Sequence, residues 1–458
     1  KEESLSKVQS LNQHDILRIE YRNTPDIRYA DRGVSGVINF IMKPRQEGGT
    51  IMVELDEAVT SLRSIATIAG TYYKKSEWSI NYGNTWQKNT KQYSDAQEQY
   101  IGRENIIYRN QIGQPSSMRD FSNNVSLGYT YMYDLNTMLA ARLSFRAYDG
   151  NNRNYNIMEE IIGDAKSRYE KFNPNKSKSH SPTLDLYFRK NFSQTQSLEL
   201  NAMGTISSGD YSREMHYKYD SGTDFNQINL TSNDSWAAAL EALYSLKIGK
   251  VDTRYGVNYR RNHAENKYSE NGAEFTPDRQ TRDNLYFYGD LAGKWNKLGY
   301  TFSVGGKYFH NTGLSGSEHY LKFKALGTLN FKIDKHWSAN YLYMYSPDMP
   351  PLSAMNDDVH TIDDISLQMG NLYIKPSSYQ RHRLYVRYNT GNFYATGWGS
   401  YSRTDNSLNS VWYYDDNPSS KYYQMFINKT ENGNYTDNIS TQLDLSCQNL
   451  FNHLTLSA

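Results

Sequence analysis

A regular alternation of apolar and polar side chains between Leu321 and Tyr345 constrains the fold of this chain more than any other feature of its sequence. In 321–332 the odd positions are apolar and the even positions mostly polar, and 337–345 repeats the two-residue period after a short connection. This period is typical of a β-strand, because successive side chains of a strand point to opposite faces. A transmembrane strand needs about 9 to 11 residues, whereas soluble sheets usually have strands of about 5 to 6. The segment therefore predicts a hairpin of a membrane-spanning β-barrel.

The composition of the 458-residue chain agrees with that prediction. Mean hydropathy is negative, and no apolar run approaches the roughly 18 residues of a transmembrane helix. The chain has 41 Tyr residues and 14% aromatic residues in all, an excess of the kind that two aromatic girdles of a membrane barrel require. Composition alone still leaves open a Tyr-rich soluble β-protein.

The charge balance and the single cysteine exclude several functional classes. The net charge is +1, so no overall field attracts nucleic acid, and no nucleic-acid partner is predicted. Cys447 is the only cysteine, which excludes an intrachain disulfide and a multi-cysteine metal site. The histidines show no paired metal-ligand spacing, and no nucleophile or phosphate-binding motif occurs. We therefore predict no catalytic residue, no cofactor and no metal.

The same alternation recurs along the chain and predicts about 17 strands, the last of which begins near Leu454. Short and long links alternate between these strands. The short links fall at 74–76, 134–136, 190–195, 247–250, 294–298, 333–335 and 390–391. The long links fall at 87–122, 149–182, 207–235, 261–283, 310–320, 346–382 and 402–420. This regularity is typical of a transmembrane barrel with short periplasmic turns and long extracellular loops.

The two faces of the predicted strands differ in polarity. Leu139 and Leu143 share one face of a strand, and Arg142 and Arg146 share the other. A charge at the lipid midplane costs about 2 to 4 kcal/mol. We therefore expect the apolar face to meet lipid and the charged face to meet the lumen.

Residues 16–43 differ from the rest of the chain and predict a short strand, a turn at Pro25 and a buried strand from Val37 to Met42. Within this segment, 23–29 reads Asn-Thr-Pro-Asp-Ile-Arg-Tyr and 36–40 reads Gly-Val-Ile-Asn-Phe. Together they resemble the end of the plug domain of TonB-dependent outer-membrane receptors, most closely the outer-membrane β-barrel proteins of Bacteroidetes-type bacteria. The residues that match the motif are Pro25, Arg28, Tyr29, Gly36, Ile38 and Asn39.

A second motif lies in the seventh long link, where 370–377 reads Gly-Asn-Leu-Tyr-Ile-Lys-Pro-Ser. It resembles a Gly-Asn-Pro-x-Leu-Lys-Pro-Glu motif that precedes a barrel strand in the same receptors, and its place in the chain is the one that the family has. Leu372 replaces the proline and Ser377 replaces the glutamate. The matching residues are Gly370, Asn371, Lys375 and Pro376.

The resemblance implies an all-β chain in which 1–47 is the C-terminal part of a plug and 48–458 is a transmembrane, antiparallel up-and-down barrel, truncated at its C-terminus. Barrels of this family have 22 strands and a plugged lumen. The implied function is import of a nutrient across the outer membrane of a Gram-negative bacterium, without enzymatic activity. The implied partners are TonB, a small nutrient ligand, outer-membrane lipid and a surface lipoprotein.

Other readings of the sequence remain open. A passive porin or surface adhesin would use the same barrel, and a barrel-anchored hydrolase would need a catalytic set that no motif marks. The acidic run 357–364 predicts a solvated loop in preference to a cation site, because it lacks the glycine and spacing of a calcium loop. The aromatic runs 412–414 and 422–423 predict packing within loops or a girdle in preference to ligand stacking. The substrate class is not encoded in any motif.

Overall fold

The computed structural model describes residues 16–22, 37–43, 47–59, 62–74, 76–103, 106–222, 224–274, 277–314, 316–356, 358–450 and 454–457. These residues are almost entirely β-structure, apart from turns and one short 3-10 helix, Leu352–Ala354. In this part of the chain, no helix is both long and apolar enough to cross a membrane. The strands are β1 Ile16–Arg22, β2 Val37–Met42, β3 Gly48–Ala58, β4 Arg63–Tyr73, β5 Ser76–Gln92, β6 Ala96–Ile101, β7 Ile106–Gly113, β8 Ser116–Asp134, β9 Thr137–Ile162, β10 Ala165–Asn191, β11 Gln196–Tyr219, β12 Phe225–Ile248, β13 Val251–Glu270, β14 Ala273–Glu274, β15 Asp278–Trp295, β16 Leu298–Gly313, β17 Gly316–Lys332, β18 Trp337–Asp348, β19 Val359–Thr361, β20 Ser366–Met369, β21 Ser377–Asn389, β22 Phe393–Asp405, β23 Leu408–Tyr414, β24 Phe426–Asn432, β25 Tyr435–Leu450 and β26 Leu454–Ser457.

Most of these strands form one closed antiparallel barrel in up-and-down order. The sheet runs from β3 to β26 and leaves out β19, β20, β23 and β24. Three of its members, β6, β7 and β14, are short strands within the long links, and the others agree with the predicted number of about 17. Every predicted short link falls between two barrel strands that neighbour each other in the sheet. The predicted transmembrane up-and-down barrel is therefore confirmed.

The hairpin from Leu321 to Tyr345 has the predicted register and faces. Strands β17 and β18 pair from Ala325 with Tyr345 to Lys332 with Ser338. The side chains of Leu321 and Phe323 are 79% and 55% exposed on the outside of the barrel, while Lys324 is fully buried on the lumen side. A lysine is tolerated there because it is surrounded by protein groups, whereas lipid would leave its charge unsatisfied.

Several strands are much longer than predicted. Strand β9 has 26 residues and β10 has 27, so the predicted long link 149–182 is nearly all strand, with a turn at 163–164. Links 207–235 and 261–283 are likewise mostly strand. The prediction failed because lipid no longer enforces an apolar face above the membrane, so the backbone ladder continues without a hydrophobic period.

Two prolines mark where β10 leaves its regular pairing. Its register with β9 is continuous through Pro174 and Pro182, but its register with β11 is interrupted at both positions. Proline has no backbone N–H to donate, so each proline removes a ladder bond on one side only. The upper part of the wall is thus held more continuously on its β9 side.

Candidate functional site

A separate four-stranded sheet forms from two of the long links and lies in the upper lumen. Strands β19, β20, β24 and β23 pair in that order, and β20 and β24 are parallel. We call these four strands the cap sheet. Its first half comes from the link between β18 and β21, and its second half from the link between β22 and β25. Segments 346–382 and 402–420 were predicted as loops, so the strands β19, β20 and β23 correct that expectation.

Lumen-facing side chains of the wall hold the first half of the cap sheet in place. The Arg213 guanidinium of β11 donates to the carbonyl oxygen of Ile362 at 2.8 Å, and the Asn229 amide of β12 donates to that of Thr361 at 3.3 Å. The Tyr268 ring of β13 meets the His360 ring edge-on, with centroids 4.2 Å apart. The cap sheet is therefore bound to three consecutive wall strands through its backbone and one ring.

A deeply buried arginine surrounded by carboxylates connects the cap sheet to the wall. Arg109 of β7 is 1% exposed and donates from Nε to Glu160 of β9 at 2.6 Å. Its Nη2 donates to both carboxylate oxygens of Asp364 at 2.9 Å, and its Nη1 lies 3.5 Å from Asp363. Burial alone would lower the pKa of Arg109, but the carboxylates, Asp364 foremost, raise it above its ordinary value. Arg109 therefore stays charged and connects the cap to the wall.

Tyrosine side chains of the wall lie next to this arginine and its carboxylates. The Tyr219 hydroxyl donates to Asp364 at 2.6 Å. Burial, and next the hydrogen bond to Asp364, raise the pKa of Tyr219 above its ordinary value, so it remains a proton donor. Met158, Tyr169 and Met215 belong to one buried cluster of the upper wall. The Tyr219 ring packs against Tyr169 of this cluster, with ring centroids 4.5 Å apart, so the residue that binds Asp364 is anchored in the apolar part of the upper wall.

The prediction of a solvated acidic loop at 357–364 is wrong for Asp363 and Asp364. Asp363 is 5% exposed and accepts hydrogen bonds from the Ile365 backbone N–H and the Ser366 hydroxyl. Asp364 is paired with Arg109, and Asp357 lies outside the described residues. The sequence prediction failed because the arginine partner lies in another long link. Over the described ranges, no group of three or more His, Cys, Asp or Glu could hold a metal ion.

The second motif lies where the two halves of the cap sheet meet. The Asn371 amide donates to the Thr430 carbonyl at 3.0 Å, and the Lys375 backbone N–H donates to the Asn432 side chain at 2.7 Å. A Cβ at Gly370 would collide with the backbone and side-chain oxygens of Asn356, so only glycine fits there. These contacts give Gly370, Asn371 and Lys375 a structural role.

Pro376 follows directly and is buried at the start of β21. The motif therefore precedes a barrel strand, as the resemblance implied. Because proline restricts the residue before it to extended conformations, it favours the change from cap to strand at this point.

The first motif is described only in part. Ile38 and Asn39 lie in β2, which pairs with β1 as an antiparallel hairpin. The Asn39 amide donates to Glu20 at 3.3 Å. Ile38 is 57% exposed, so the expectation of a buried strand is wrong here, because the described residues provide no second layer over this hairpin. Pro25, Arg28, Tyr29 and Gly36 lie outside the described residues.

The predicted aromatic packing within loops is confirmed for the run 412–414. The ring of Tyr414 lies 5.0 Å from that of Phe426, centroid to centroid, and Phe426 lies 5.0 Å from Tyr100 of β6. Trp412 meets Tyr100 edge-on at 6.3 Å. These rings join the second half of the cap sheet to the link between β5 and β8.

Sequence reasoning missed Arg109 and Tyr219, although the alternation Met-x-Tyr-x-Tyr at 215–219 was a strand signal.

Docking of the cap sheet is expected to weaken in mild acid through His360. Burial lowers the pKa of His360 below its ordinary value of 6.5, while Asp358 and Glu270 act in the opposite direction. The docked state therefore prefers the neutral ring, so its stability is complete above that ordinary pKa and falls as pH drops through it. The measurement is the mobility of a nitroxide attached to Tyr373→Cys, an exposed position between the cap strand β20 and β21, in a Cys447→Ser background, between about pH 8 and pH 5.

A His360→Gln variant carrying the same label is the control for this experiment. Glutamine keeps the polar side chain but cannot take up a proton in this range. We expect the label mobility of this variant to be independent of pH. An unchanged pH response would assign the effect to other groups.

Comparison with known proteins places the barrel among those of the TonB-dependent receptors. No protein-family model matches the chain, and no curated protein matches it in sequence. Among solved structures, the copper transporter OprC aligns with a TM-score of 0.59 and 12% identity over 90% of this chain and 61% of its own. The ferric enterobactin receptor PfeA of Pseudomonas aeruginosa, in complex with enterobactin, aligns with a TM-score of 0.59 and 11% identity. This alignment covers 97% of this chain and 67% of the receptor. The ferric citrate transporter FecA, in its unliganded form, aligns with a TM-score of 0.54 and 13% identity. This alignment covers 90% of this chain and 58% of the transporter.

The chain spans about three fifths of the length of the copper transporter and the ferric citrate transporter. At these identities the likeness concerns the fold. The chain has the barrel fold of TonB-dependent outer-membrane receptors, and the resemblance drawn from the two sequence motifs is confirmed at that level.

Proposed function

We propose that this chain is the barrel part of a TonB-dependent receptor that imports a small nutrient across the outer membrane of a Gram-negative bacterium. The observation that carries the proposal is the docked cap sheet in the upper lumen, held by the Arg109 ion pairs. A passive porin conducts through a water-filled lumen, whereas a receptor needs a surface that captures ligand and can later move.

We assign the remaining parts of the receptor from the resemblance to TonB-dependent receptors. Residues 1–47 are the end of a plug, and the hairpin β1–β2 belongs to it. TonB supplies the force that moves the plug, lipid surrounds the apolar outer face, and a surface lipoprotein is a further partner of the cap side. The chain binds and moves its ligand without catalysing a reaction on it, in line with the solved structures, which are named as transporters and receptors.

The test is calorimetry on the full-length protein in detergent, with ferric siderophores, cobalamin, oligosaccharides and peptides as titrants. We expect one class to bind at sub-micromolar concentration. Binding should be lost when 358–369 is replaced by a Gly-Ser linker, which removes the first half of the cap but leaves β18 and β21 in the barrel. Open conductance in planar bilayers, together with no binding of any titrant, would contradict the receptor and favour the porin.

A further inference from the structure

The lumen wall just below the cap sheet carries no charged side chain over four neighbouring strands. The inward positions are the odd residues of 177–183 in β10, 205–211 in β11 and 231–237 in β12, and the even residues of 262–268 in β13. They are all serine, threonine, asparagine, tyrosine, alanine or glycine. We call this surface the neutral wall. Charged residues make up 22% of the chain, so a surface of this size without one is unusual.

The position of the neutral wall follows from the strand registers. Its uppermost row contains Ser177, Tyr211, Thr231 and Tyr268, which pair in sequence across the four strands. Tyr268 contacts His360 of the cap sheet, and the next inward residues along the chain, such as Arg213 of β11, bind the cap backbone. The neutral wall therefore begins at the cap and continues along the lumen toward the membrane.

Charged residues are present on the same strands but point outward. Lys178 and Lys267 are 70% and 55% exposed, and Asp210 pairs in register with Lys178 on the same outer face. In the membrane-spanning part, the charged face of each strand was predicted to meet the lumen, so the arrangement here is the reverse. A charged side chain on a lumen wall in contact with water has a small desolvation cost. Desolvation therefore does not explain why these inward positions are uncharged. Their absence indicates a requirement of the ligand.

The side chains of the neutral wall suit a ligand that both donates and accepts hydrogen bonds. Hydroxyl and amide groups do both, whereas carboxylates accept only and lysine or arginine donates only. The Ser207 hydroxyl donates to Ser181 at 2.9 Å and the Thr183 hydroxyl donates to Thr205 at 2.9 Å, so neighbouring groups already form short chains. The ring of Tyr211 is 42% exposed within this surface and offers a stacking face.

We propose that the ligand is an uncharged carbohydrate, an oligosaccharide whose hydroxyls bind the neutral wall and whose apolar sugar faces stack on Tyr211. The inference rests on the proposed receptor function and names its substrate class. Anionic chelates and acidic sugars are bound through arginine and lysine, which this surface lacks. Sugar hydroxyls that leave water regain hydrogen bonds when they meet hydroxyl and amide partners, so their desolvation costs less free energy.

The first experiment is a matched binding panel on the purified full chain in detergent. A neutral glycan array and four neutral hexasaccharides, of the malto, cello, xylo and manno series, are compared with hexagalacturonate and ferric enterobactin. We expect a neutral glycan to bind with Kd below about 1 μM and the two anionic probes not to bind. Binding of an anionic probe without a neutral one would leave the receptor function standing and overturn the carbohydrate class. Binding of none of these probes would overturn the carbohydrate class, and the receptor function would then be decided by the wider calorimetric panel and the conductance measurement described above.

The second experiment places one negative charge on either side of the same strand. Ser207→Asp puts a carboxylate on the neutral wall, and Ser208→Asp puts it on the outer face, one residue away. We expect Ser207→Asp to weaken the binding of the neutral glycan at least about tenfold and Ser208→Asp to change it less than about twofold. Equal effects of the two variants would show that the ligand does not touch this surface. Both should keep the barrel, which heat-modifiable migration on gels verifies.

Discussion

Replacing Arg109 by methionine is expected to destabilise the docking of the cap sheet by about 3 to 5 kcal/mol, because the change leaves buried carboxylates without their cation. Glu160, Asp363 and Asp364 would remain around an apolar side chain of similar length. Hydrogen exchange at the backbone N–H of Ile362 and Phe426, which donate within the cap sheet, measures the loss. These amides should exchange faster by a factor of about 100 or more at constant pH.

Arg103→Met is the matched control for the Arg109 variant. Arg103 also forms an ion pair with a cap link, to Asp416 at 3.0 Å, but its side chain is 73% exposed. Exposed ion pairs contribute little to stability, so hydrogen exchange at the cap amides should hardly change. Similar protection in the Arg109 variant and the wild type would contradict the view that this buried cluster holds the cap in place.

Replacing Ile427 by alanine is expected to destabilise the cap sheet by about 2 to 5 kcal/mol, through lost apolar burial and the cavity left behind. Ile427 lies in the central part of the sheet, pairs with Leu367 and Tyr413 on either side, and is 1% exposed. The measurement is the urea dependence of exchange at the same cap amides. Barrel amides should keep their protection, since the cap forms a separate sheet.

Val411→Ala is the control for the Ile427 variant, because Val411 lies on the neighbouring strand β23 but is 38% exposed. It removes methyl groups from the same sheet with little change in burial. We expect a small effect, within about 1 kcal/mol. If the two variants weakened the cap equally, its stability would come from strand pairing and not from a packed core.

The membrane-spanning hairpins could be predicted from the sequence because lipid outside and protein or water inside impose opposite demands on successive residues. Leu143 and Leu240 are 53% and 60% exposed on the outer face, as the alternation of their strands predicts. Above the membrane both faces of a strand meet water, and the pattern that identifies strands disappears. The tall walls formed by β9 to β13 were for that reason predicted as loops.

The candidate site was predictable only in part. The motif containing Gly370 and Asn371 was recognised, and the structure gives it a role at the junction of the cap halves. The partners of Asp364, however, come from β7 and β11, which lie 255 and 145 positions away in the chain. A single sequence contains no signal for pairings of that separation, because each partner is an ordinary residue within its own segment.

The parallel pairing of β20 with β24 has a consequence for the order in which the molecule assembles. It joins Ser366 to Phe426, and the whole hairpin β21–β22 lies between them in the chain. Each barrel hairpin closes through contacts that are local in sequence, whereas this contact closes a long loop and must wait until that hairpin is in place. During insertion into the membrane the wall therefore forms first and the cap sheet last. A newly inserted chain would pass through a stage in which the upper lumen has no cap, so any defect that delays this final pairing would raise the fraction of uncapped barrels before it reduced the amount of barrel.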